Sequence, residues 1–210
     1  MAIKLVLYML AISLSNQFCG INALLTYADL ILADAGVPLQ PQVAGLTIFL
    51  LMLASTLLST PLIRKVNRRP LLAMSLGLCS ISLACLGTYF HFFSSSAHPS
   101  SASSVSSVPL VCLVIYIISF SLGMGPLCFI LLSDFSLPRL AALAGTTTGI
   151  TMWSSCGIVT YAFPLLEAQL GRSAVFLGFA LCSASGSAFA LLVLPETRGR
   201  SCAEVEATMQ

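Results

Sequence analysis

The chain has 210 residues, of which 58% are hydrophobic and only 8% charged, against roughly a quarter charged in an average soluble domain. This excludes a soluble globular protein, and also disordered, coiled-coil and nucleic-acid-binding chains, all of which carry far more charge. The net charge of +2 decides little, because where the charges sit matters more than their sum.

Six apolar segments follow one another at 5–32, 43–63, 71–93, 109–133, 143–166 and 174–194. A membrane crossing needs about 20 apolar residues, so the expected fold class is an all-α integral membrane protein. Residues 1–194 form a six-transmembrane-helix bundle and 195–210 a cytoplasmic tail. With the N-terminus in the cytoplasm, Lys4, Arg64, Lys65, Arg68, Arg69, Arg139, Arg198 and Arg200 fall inside and only Arg172 falls outside. That asymmetry obeys the positive-inside rule and puts both termini in the cytoplasm.

The first segment contains the sequence NQFCGIN, which holds every carboxamide found inside a span: Asn16, Gln17 and Asn22. Amides are costly in hydrocarbon unless they are paired or face a cavity. Two readings stand: hydrogen bonding between helices, or a binding site for a polar, uncharged solute, since amides both donate and accept. On a straight helix Asn16, Gln17, Gly20 and Tyr27 share a sector of about 100°, while Asn22 and Thr26 point elsewhere. If Asn22 faces the same cavity, the helix must break, and Gly20 is the natural place. Discontinuous helices are a common device at transporter binding sites.

The third span offers Ala73, Gly77, Ser80 and Ala84, and the sixth is nearly all small from Ser183 to Ala188. Small residues let helix backbones approach closely in lipid. The uncharged, serine-rich link at 94–108 reads as a flexible outside loop. The fourth span carries Gly123-Met124-Gly125-Pro126, a helix-breaking cluster that is either a hinge or a static kink. Trp153, the lone tryptophan, sits within the fifth span rather than at an interface; it is either a stacking platform or core. The eight cysteines are scattered with no C-x-x-C pair, and no metal-ligand spacing, G-x-S-x-G elbow or phosphate loop occurs. No enzyme activity, metal or cofactor is expected.

Five stretches, in order, resemble motifs of the sugar porters of the major facilitator superfamily. NQFCGINALLTYA resembles the seventh-helix signature Q-Q-x-x-G-x-N-x-x-x-Y-Y. RKVNRRPLL resembles the D-R-x-G-R-R loop between helices eight and nine, and GMGPLCF the G-x-G-P-x-P-W of helix ten. SDFSLPR resembles the S-E-x-x-P-x-x-x-R segment that follows, and PETRGRS the P-E-T-[KR]-G-[RK]-[ST] of the tail. The resemblance covers nearly the whole chain, but only the family's helices seven to twelve. It implies one half of a major facilitator fold, hexose- or trehalose-facilitator-like, in a plasma-membrane protein.

The resemblance also implies roles. Asn16, Gln17 and Asn22 match sugar-binding amides, Asn16 standing in for a glutamine. Trp153 matches a tryptophan near the cavity, Phe129 replaces a helix-ten tryptophan, and Tyr27 matches the second of a tyrosine pair. Gly20, Gly123, Gly125 and Pro126 would gate, and Arg68, Arg69, Asp134, Arg139, Glu196 and Arg198 would form a cytoplasmic charge network. Several positions depart from the family: Met52 and Met152 stand where relatives carry asparagine, Ser121 where hexose facilitators carry glutamate, and Cys128 replaces a proline. Three lost hydrogen bonds weaken binding by roughly one to three decades. No carboxylate lies deep in a span, so downhill uniport is expected over proton coupling.

The family's cavity lies between two six-helix halves that rock against each other. The chain is therefore read as the C-terminal half of a facilitative sugar transporter, a fragment whose partners are sugar, lipid bilayer and a missing N-terminal half or second half-protein. The alternative is a non-transporting half-length membrane protein that associates with or regulates a full-length transporter.

Overall fold

The computed structural model describes residues 2–34, 41–93, 108–134 and 141–198. The serine-rich link up to residue 107, Arg139 and the tail from residue 199 lie outside the described residues. Among the described residues the chain forms eight helices: α1 (Ala2–Phe18), α2 (Ile21–Asp34), α3 (Pro41–Lys65), α4 (Arg68–Phe93), α5 (Val108–Leu122), α6 (Met124–Asp134), α7 (Ala141–Leu170) and α8 (Arg172–Leu192). These eight helices make six segments long and apolar enough to cross a membrane, because α1 with α2, and α5 with α6, each form one broken span.

Helix ends differ from the apolar windows. α3 begins at Pro41 rather than 43, α4 at Arg68 rather than 71, and α7 runs to Leu170 rather than 166. Hydropathy ends where charged or polar residues begin, but the backbone stays helical until a breaker arrives. For α7 that breaker is Gly171, at φ +83°, a left-handed conformation that suits glycine. The Gly171 amide donates to the Glu167 carbonyl at 3.0 Å, and an Arg172–Glu167 ion pair closes the turn.

α4 lies between α5 and α8, and serine hydroxyls join it to both. Toward α8, Ser187 donates to the Ala73 carbonyl at 2.8 Å, Ser80 to Ala180 at 2.8 Å and Ser173 to Gly87 at 2.7 Å. The contacts climb α4 at 73, 80 and 87 while descending α8 at 187, 180 and 173, the heptad spacing of a left-handed antiparallel pair. Toward α5, Ser75 donates to Ser119 at 2.7 Å and Ser82 to Cys112 at 2.5 Å, again one heptad apart. Each such bond contributes about 0.6 kcal/mol in a membrane bundle; small side chains matter as much by letting the backbones close up. Around this layer Leu72, Leu76, Leu83, Leu86 and Phe176 are fully buried.

Candidate functional site

Both breaks in the spans face one cavity, and each has a local cause. At the first, Gly20 adopts φ +85°, and a Cβ built there would lie 2.8 Å from the Phe179 ring. Only glycine meets both conditions. The Gly20 amide turns back to the Gln17 carbonyl at 3.1 Å. The freed Cys19 carbonyl accepts the Tyr116 hydroxyl of α5 at 2.9 Å, and the Cys19 thiol donates to the Asn16 carbonyl at 2.9 Å.

At the second break, Gly123 presses against α4: a Cβ there would lie 2.3 Å from the Ser75 Cβ. The Ser75 hydroxyl donates to the Ser119 carbonyl at 2.7 Å and accepts the Met124 amide at 2.9 Å. One side chain thus satisfies a backbone group on each side of the interruption. Pro126 sits in the first turn of α6, where an amide would have no intrahelical partner.

The cavity measures about 370 Å³. Asn16 and Gln17 at the end of α1 and Asn22 at the start of α2 all line it, together with Gly125, Pro126 and Phe129 of α6 and Trp153 of α7. The break lets Gln17 and Asn22 share the cavity, and the Asn22 amide donates to the Gln17 side-chain oxygen at 2.5 Å. That bond leaves the Gln17 Nε2 and the Asn22 carbonyl oxygen for another partner. Among the described residues the Asn16 amide makes no side-chain hydrogen bond, although only 3% of the residue is exposed. Trp153 and Phe129 are 75% and 60% exposed on the open side.

Tyr27 is not among the lining residues. Its ring stacks on Phe163 at 5.0 Å and its hydroxyl donates to the Thr160 carbonyl at 3.4 Å. A straight-helix projection puts it in one sector with Asn16 and Gln17, but the turn at Gly20 resets the phase. Within α2, Tyr27 stands about 140° round from Asn22 and meets α7 instead. Met52, Met152 and Ser121 do line the cavity, as do Thr56 and Phe120, which the sequence reading passed over. Thr56 lies one helical turn beyond Met52 and was visible by that spacing.

Five of the six expected network charges meet at the other end of the bundle; the sixth, Arg139, lies outside the described residues. The Glu196 carboxylate accepts the backbone amides of Arg68 at 3.0 Å and Arg69 at 3.2 Å, capping the N-terminus of α4, where a negative charge is favoured. Arg198 donates to the carbonyls of Arg64 at 2.9 Å and Lys65 at 2.6 Å, capping the C-terminus of α3, where a positive charge is favoured. Arg68 pairs with Asp134 at the end of α6, and the Thr197 hydroxyl donates to the same carboxylate at 2.8 Å. The link between α3 and α4 needs no left-handed residue: no described non-glycine has positive φ, and Asn67 uses its side chain to accept Arg198 at 3.4 Å.

The arrangement has known counterparts. The chain is 30% identical over 194 residues to a facilitated trehalose transporter Tret1-2 homolog of Drosophila simulans, and 30% identical over 207 residues to facilitated trehalose transporter Tret1 of Polypedilum vanderplanki. These matches cover 92% and 99% of this chain but 39% and 40% of those proteins. The inward-open xylose transporter XylE of E. coli superposes with a TM-score of 0.80 at 22% identity, over 97% of this chain and 42% of that one. XylE bound to 6-bromo-6-deoxy-D-glucose gives 0.79 at 24%. The fold is therefore one half of a major facilitator bundle, in an integral, multi-pass membrane protein, and the chain spans about 40% of the length of the relatives it matches. Residues 2–209 fit the sugar (and other) transporter family model, and the chain belongs to that family.

Proposed function

We propose that this chain forms the C-terminal half of a facilitative sugar transporter and binds a hexose or a disaccharide such as trehalose in the cavity between its two broken spans. The observation that carries this is the set of unspent amide groups of Asn16, Gln17 and Asn22 on a cavity wall. Such groups suit hydroxyls, and Trp153 and Phe129 offer faces for stacking. The trehalose transporters among the relatives support the substrate class. Alternating access requires a second six-helix half across the open side. Among the described residues no carboxylate lines the cavity, which supports uniport over proton coupling. The arginines and lysine at the α3–α4 end support a cytoplasmic location for that end and for both termini, and the plasma membrane is the compartment we propose.

Sugar should raise the melting temperature of the purified chain, and Gln17→Ala together with Asn22→Ala should abolish that protection while leaving the unliganded melt within a few degrees. If sugar never shifts melting, or still protects the double variant fully, the site is not here.

A further inference from the structure

The cavity is chemically lopsided. All its carboxamides come from α1 and α2. α3, α6 and α7 bring Met52, Met152, Phe129 and Trp153 and contribute no amide or charge to the lining. Two hydroxyl residues also line it: Thr56 of α3, one helical turn from Met52, and Ser121 of α5, which is 1% exposed and whose Oγ has no hydrogen-bond partner among the described residues.

We infer that the cavity selects a glycoside carrying an apolar aglycone over a free hexose, an inference that rests on the sugar-site proposal and narrows it. Asn16, Gln17 and Asn22 can serve one hydroxylated edge of a sugar. A free hexose carries hydroxyls around its ring, and those turned toward Met52 and Met152 would lose water with no amide or charge to replace it, the Thr56 hydroxyl and the Trp153 indole N–H being the polar groups those helices bring. An alkyl or cycloalkyl group there buries apolar surface against flexible thioethers and aromatic faces, which is favourable.

The test uses the only tryptophan in the chain, Trp153, as a reporter on the cavity wall. The full chain in lipid nanodiscs is titrated with D-glucose, cyclohexyl β-D-glucopyranoside and cyclohexanol, none of which absorbs in the tryptophan band. Emission and melting temperature are both followed. The cyclohexyl glucoside should bind on the order of tenfold tighter than glucose, and cyclohexanol should not saturate. Met152→Asn should narrow or reverse that ratio, and Met52→Asn serves if the first variant does not fold. Glucose binding as tightly as the glucoside overturns the selectivity and leaves the sugar site standing. Saturation by neither sugar overturns the sugar site as well. Cyclohexanol saturating as tightly as the glucoside, or a ratio unmoved in a folded asparagine variant, also overturns the inference.

Discussion

Gly20 shows how one residue shapes the site. A β-carbon there is refused twice, by a φ of +85° and by a ring 2.8 Å away. A side chain forced into the left-handed region costs about 1–2 kcal/mol, before Phe179 is displaced. Gly20→Ala should therefore lower stability by about 2 kcal/mol or more, read as a lower unfolding midpoint. If the backbone instead straightens to relieve the strain, Asn22 swings away from Gln17, and sugar protection falls further than stability does. Glycine at 178 should tolerate alanine, because nothing lies within 4 Å of a Cβ built there. A variant at Gly20 that melts like the wild type would show that the break does not depend on glycine.

The helical elements are legible in sequence to different depths. Six spans could be read because 20-residue apolar runs have no other use in so uncharged a chain, and both breaks fell at glycines already in view. Their supports could not be read. Ser75 of α4 acts on a carbonyl of α5 and Tyr116 of α5 on a carbonyl in the turn between α1 and α2, and no local pattern announces either contact. Tyr27 was projected on the wrong phase for the same reason: a break is a tertiary outcome that renumbers every face after it. This gives a contrast between two serines of α4. Ser75→Ala strips partners from backbone groups on both sides of the Gly123 turn and should cost about 1–3 kcal/mol. It should also speed hydrogen exchange at the Met124 amide, which the hydroxyl now protects. Ser80→Ala removes one bond to a mid-helix carbonyl and should cost about 0.6 kcal/mol. Equal losses for the two would mean that the hydroxyl at the break is not special.

At the scale of the molecule, burial is uneven. The spans α3 and α7 are only 17% buried, against 50% or more for three of the others. Both flank the cavity, so its open side is bordered by the least covered helices, where the proposed second half would sit. An antibody to residues 201–210 should then detect a native product of more than twice 22.1 kDa, as the relatives' lengths imply; a band at 22.1 kDa would require a separate partner. What holds the opposite end together is a short segment at the end of the described chain. Residues 196–198 touch the end of α3, the start of α4 and the end of α6, tying the two sides of the half-bundle by opposite charges on opposite helix termini. Glu196 is the key group, since its carboxylate takes the Arg68, Arg69 and Arg198 amides. Glu196→Ala should cost about 1 kcal/mol, the scale of a lost helix cap. It should also free Arg198, whose guanidinium is now held by the Arg64 and Lys65 carbonyls, so trypsin should cleave after Arg198 faster than in the wild type. Glu196→Gln keeps two acceptor lone pairs but loses the charge, and should fall between the two. If cleavage at Arg198 is as fast in the wild type as in Glu196→Ala, the segment does not clasp the helices in solution.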